Sequence, residues 1–196
     1  MASVTRGRPR EFDRDAALDR AIRLLWRKGY EATSVRDLSE ELGIGQPSLY
    51  NAFGGKRTLF DEALEVYERR YGEFIPAAID EEPTAVRAMR RILTEAPARY
   101  TRRGLPRGCL ATSGDAGTDD ADVHAAMSRT RRANRTHLRR KIQADITAGR
   151  LPGDIDPTAL AGYVVTVLAG LEQRARDGAS RRELASSASI ATLALP

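Results

Sequence analysis

The segment from Thr33 to Phe60 constrains the fold more than any other, because Gly43 and Gly45 sit between two short runs of helical periodicity. Ser34 can cap the first run, with Asp37 three residues on as an aspartate variant of the capping box. Val35, Leu38 and Leu42 then recur at helical spacing and give that helix one apolar face. Gly43 supplies a left-handed stop, Ile44 plugs the core, and Gly45 leads into a second helix with Pro47 near its start. Leu49 and Phe53 point inward from the second helix. Gln46, Ser48, Tyr50 and Asn51 are left outward, a row of hydrogen-bonding groups suited to base edges and phosphates. The pattern is that of a helix-turn-helix.

The same residues resemble the DNA-binding domain of the TetR family of bacterial one-component regulators. The resemblance rests on Thr33-Ser34, Leu42-Gly43-Ile44, Leu49-Tyr50-Asn51-Ala52-Phe53 and Gly54-Gly55-Lys56-Arg57-Thr58-Leu59, and it extends over residues 12–62. It implies an all-α fold in which a three-helix DNA-binding domain, residues 1–55, precedes a larger helical ligand-binding and dimerisation domain, residues 56–196. It further implies that Gln46, Pro47, Ser48 and Asn51 face the groove with Arg36, while Ser34, Tyr50 and Lys56 hold phosphates. The function implied is that of a repressor binding a pseudo-palindromic operator in double-stranded DNA as a homodimer. A small-molecule effector would release it by tilting the helix that starts at Lys56.

Composition fits this reading. The chain has 32 basic and 27 acidic residues, and residues 1–10 carry Arg6, Arg8 and Arg10 with no acid. Such an arm is suited to phosphate or a minor groove. No apolar run approaches the roughly 18 residues of a membrane span, so a cytoplasmic protein with no membrane partner is expected. One cysteine excludes an intrachain disulfide, and with only His124 and His137 no metal site is expected. No motif sets either histidine beside a carboxylate orienter, and no glycine-rich phosphate loop appears. The expectation is therefore no catalytic residue, no cofactor and no enzyme. A non-specific architectural DNA-binding protein is the alternative, but it would need little of the chain beyond the reading head.

The remaining pattern is helical throughout. A first helix is expected from about Arg14 to Lys28, with Leu18, Ala21, Ile22, Leu25 and Trp26 as its buried stripe. The helix from Lys56 should end before Pro76, and the helix from about Thr84 should kink or end at Pro97. Residues 103–118 read as a loop with at most a short helix around Cys109. Further helices are expected at about 120–148, 156–177 and from Ser180 to about Leu195. Residues 158–171 contain no charge, and Gly162, Val165, Ala169 and Gly170 suit a close helix contact between subunits. Leu184, Ala188 and Ala191 are assigned to the same interface from the last helix. By the family resemblance, the two helices would form a four-helix bundle with their copies.

An effector site is expected between the helices at 56–75, 84–101 and 120–148, with Met89, Cys109, Met127, Thr130 and Asn134 as candidate contacts. Thr130 and Asn134 interrupt an otherwise apolar stripe and need polar partners. The opposite face of the helix at 120–148, with Arg129, Arg132, Arg135, Arg139 and Arg140, reads as solvated. Arg102, Arg103 and Arg107 could favour a thiolate at Cys109, so a cysteine-based electrophile or redox sensor stands as an alternative mode of regulation.

Overall fold

The computed structural model describes residues 13–196, and the candidate contacts Arg6, Arg8 and Arg10 lie outside them. Helix α1 spans Arg14–Lys28, α2 Val35–Leu42, α3 Gln46–Phe53 and α4 Lys56–Tyr67. A π-helical turn, Glu68–Gly72, joins α4 to α5, Phe74–Glu81. Then follow α6 Ala85–Tyr100, the one-turn α7 Leu110–Ser113, the long α8 Ala121–Thr147, α9 Pro157–Arg176 and α10 Arg181–Leu193. No strand occurs among the described residues.

Local chemistry sets most of these ends. Asp13 accepts from the Ala16 amide at 3.0 Å and opens α1. Ser34 and Asp37 cap α2 reciprocally, with Asp37 N–H on Ser34 Oγ at 3.0 Å and Ser34 N–H on Asp37 Oδ2 at 2.8 Å. Lys28, hydrogen-bonded at 2.8 Å, and the Ser34 cap hold the Asp37 carboxyl well below the usual carboxylate range. Gly43 closes α2 in the left-handed region at φ 67°, where a side chain would be strained. A second capping box, Ser180 with Glu183, opens α10.

Two prolines bear on the helix ends. The α4 helix does not simply end before Pro76: it passes through the π turn into α5, which holds Pro76 in its first turn. A proline there costs little, because first-turn N–H groups have no intrahelical partner. Pro97 does not end α6, which runs on to Tyr100. Leu93, Ala96 and Tyr100 are buried around it, so packing holds the last turn despite the lost hydrogen bond.

Two hydrophobic cores result. The first joins α1 to α4 with Leu110, Val123 and Met127, so it continues across residue 55. The second joins α5, α6, α9 and α10 with Leu138 and Ile142 of α8. Helix α8 thus serves both cores, and Thr130 and Asn134 fall between its contributions to each. At the far end of α8, buried Asp145 accepts from the Ala85 amide at 2.6 Å and from Arg150 at 2.7 and 2.9 Å. That carboxylate ties α8 to the start of α6.

Candidate functional site

Leu49 and Phe53 seat α3 in the first core, which leaves Gln46, Pro47, Ser48, Tyr50 and Asn51 exposed on one surface. Arg36 on α2 is exposed and ion-paired with Glu40 at 2.8 Å. Lys56, at the start of α4, places its ammonium 4.1 Å from the centre of the Tyr30 ring. Ser34 is exposed, but its hydroxyl already donates to Asp37 at 2.7 Å, so a phosphate contact there would compete with the cap. The next basic residue, Arg57, is held by Asp61 and Asp120.

Between the two cores lies a cavity of about 160 Å³. Its wall includes Cys109, Thr130 and Asn134, together with five aromatic residues: Trp26, Tyr67, Tyr71, Phe74 and Tyr100. Thr130 hydrogen-bonds Glu68 of the π turn. The Tyr67 hydroxyl lies 3.4 Å from Cys109 Sγ and accepts from the Leu110 amide at 3.1 Å. Burial pushes the Tyr67 and Tyr100 phenols well above their ordinary range, so both remain protonated at neutral pH. Behind Cys109, buried Glu172 accepts from the Cys109 amide at 3.2 Å and the Ser113 hydroxyl at 3.1 Å. Burial pushes the Glu172 carboxyl up. Gly108 permits this approach: a Cβ there would stand 2.5 Å from Glu172 Oε1.

Two candidates do not reach the cavity. Met89 is fully buried in the second core and Met127 in the first, because an inward position on a helix points to its core first. The aromatic wall does not stand out in the sequence. Trp26 reads as core, and it is 3% exposed, yet it also forms part of the wall. Each of these aromatics has the spacing of an ordinary core residue, so only their convergence from separate elements distinguishes them.

The proposed subunit surface also needs revision on α10. Leu184 and Ala188 are buried within the subunit, and Ala191 accepts from the Tyr163 hydroxyl at 2.8 Å through its carbonyl. That stripe is taken up by packing on α6 and α9, and the exposed apolar residues are instead Ile190 (69%) and Leu193 (82%). On α9, Gly162 and Val165 are partly exposed and Ala169 and Gly170 exposed. A Cβ at Gly162 or Gly170 would meet nothing within 4 Å in its own subunit.

Known proteins share this architecture. The family described as "Bacterial regulatory proteins, tetR family" matches residues 17–63, and "Tetracyclin repressor-like, C-terminal domain" matches residues 85–190. The HTH-type transcriptional repressor ComR of Escherichia coli (strain K12) is 34% identical over 190 residues, covering 92% of this chain and 87% of the relative. The HTH-type transcriptional repressor BdcR of the same organism is 32% identical over 188 residues, covering 94% and 90%. Among solved structures, a cysteine mutant of the TetR family regulator CifR complexed with 26-base-pair operator DNA is 38% identical. The match covers 97% of this chain and 100% of that one, with a TM-score of 0.88. The chain belongs to the TetR family of bacterial transcriptional regulators.

Proposed function

We propose that the chain is a cytoplasmic, non-catalytic repressor that binds a two-fold operator as a dimer and is released when a small molecule enters the cavity. Residues 1–55 act as the reading head and residues 56–196 as the regulatory and pairing unit. The observation that carries the reading is the exposed row Gln46, Pro47, Ser48, Tyr50 and Asn51, held rigid by buried Leu49 and Phe53. Gln46, Ser48 and Asn51 read base edges with Arg36, and Tyr50 and Lys56 hold phosphates, with Ser34 assisting. Support comes from ComR and BdcR, named repressors, and from CifR in its operator complex.

Release runs through the π turn. Tyr71 in that turn lines the cavity and donates to Asp19 of α1 at 3.1 Å, while Arg70 lies 3.7 Å from the same carboxylate. The Trp26 ring of α1 sits 4.8 Å from Tyr67 and 5.4 Å from Tyr71. An occupant that prefers a different setting of these rings moves α1 and α4 together and changes the separation of the two reading heads.

Gln46→Ala is expected to weaken binding to the preferred operator by about 1–3 kcal/mol and to relax base choice at its contact. Lys56→Ala should instead weaken binding to all sequences and reduce the salt dependence. Gel-shift titrations over a range of salt concentrations check both, and unchanged affinity in the two variants contradicts the assignment.

A second mode of release is favoured by the placement of Cys109 on the cavity wall, its sulfur facing the Tyr67 hydroxyl. In that mode the Cys109 thiolate adds to the carbon–carbon double bond of a maleimide or similar electrophile: the C–S bond forms as the π bond breaks, and the adjacent carbon takes a proton from water. N-ethylmaleimide should then release the wild type from DNA and leave Cys109→Ser bound. Equal behaviour of the two proteins rejects the covalent mode and leaves cavity occupancy as the mechanism.

A further inference from the structure

Resting on the reading of the cavity as the effector site, its unpaired donors narrow the chemistry of what it takes. Among the described residues, neither the Tyr100 hydroxyl nor the Asn134 amide has a hydrogen-bond partner, and both residues line the same cavity. Among the described residues Arg102, exposed on the same wall, has no ion-pair partner, whereas Arg99 is engaged by Glu95 at 3.2 Å. The acid on the wall, Glu68, is engaged by Thr130. Donors that face a cavity without a partner in the protein favour an occupant that brings acceptors. The cavity volume of about 160 Å³ matches one aromatic ring, since an apolar cavity of roughly 150 Å³ holds benzene. Five aromatic side chains furnish edge and face contacts for such a ring.

We propose that the effector is a small monocyclic aromatic carboxylate, its ring among Trp26, Tyr67, Tyr71, Phe74 and Tyr100 and its carboxylate toward Arg102, with the Asn134 amide and the Tyr100 hydroxyl donating to its oxygens. Trp26 is the only tryptophan of the chain, so its fluorescence reports directly on the cavity. The test titrates the full-length protein with sodium benzoate, benzyl alcohol and benzylamine. Benzoate should change the emission saturably, benzyl alcohol should bind at least about tenfold more weakly, and benzylamine should not bind. Arg102→Ala should weaken benzoate by about tenfold and leave benzyl alcohol unchanged, a difference that misfolding cannot produce. Asn134→Leu should weaken both. No saturable response to benzoate, equal binding of benzylamine, or indifference to Arg102→Ala overturns the proposal. Operator binding is measured on the same preparation. A protein that binds operator but not benzoate loses only this inference, and one that binds benzoate but no operator loses the proposed function instead.

Discussion

Gly170→Glu is expected to sediment as a single chain of 21.5 kDa, where the wild type should sediment near twice that mass. The substitution is placed so that the lone subunit tolerates it. A Cβ at Gly170 meets nothing within 4 Å, and replacing a helical glycine by glutamate favours the helix by a few tenths to about 1 kcal/mol. In a paired bundle the same carboxylate would enter a close helix contact, where burying it unpaired costs several kcal/mol. Ile190→Asp with Leu193→Asp should act in the same way from α10. Both variants should retain the wild-type helical content by circular dichroism while losing operator affinity, because a monomer engages only one half-site. A wild-type protein that remains monomeric at micromolar concentration contradicts the pairing surface.

Asp145→Ala should lower the stability of the fold by about 2–4 kcal/mol in urea denaturation. Asp145 is 2% exposed and joins the Ala85 amide to Arg150. Its removal leaves a buried N–H without a partner at the start of α6. The Arg150 side chain, half exposed, returns to water, which keeps the loss below that of a fully buried pair. Asp145→Asn, which keeps the shape and one acceptor, should fall between wild type and alanine. A change below about 0.5 kcal/mol for alanine would show that the link carries no stability.

The reading head was legible because its determinants are local. A cap at Ser34, a left-handed Gly43 and the inward pair Leu49 and Phe53 each act within one or two turns. The same holds for the long α8 and for α10, which open at Asp120 and Ser180. The π turn was not legible, since a proline at position 76 reads equally as a stop or as the first turn of a new helix. Periodicity also does not say which apolar stripe meets the chain's own core: Leu184 and Ala188 turned inward, while Ile190 and Leu193 stayed outside. Thr130 and Asn134 stood out by breaking an apolar stripe, and both line the cavity. Its aromatic wall is assembled from α1, the α4–α5 segment and α6, so it exists only after packing.

The most direct measurement is selection of DNA by the purified protein from a random double-stranded pool, followed by sequencing. A two-fold dimer carrying an α3 in each subunit predicts enrichment of an inverted repeat, its half-site centres about one helical turn, roughly 34–36 Å, or a multiple of it apart. Gln46→Ala should blur the same position in both halves. No enrichment above the starting pool, or enrichment of a single asymmetric site, would contradict the account.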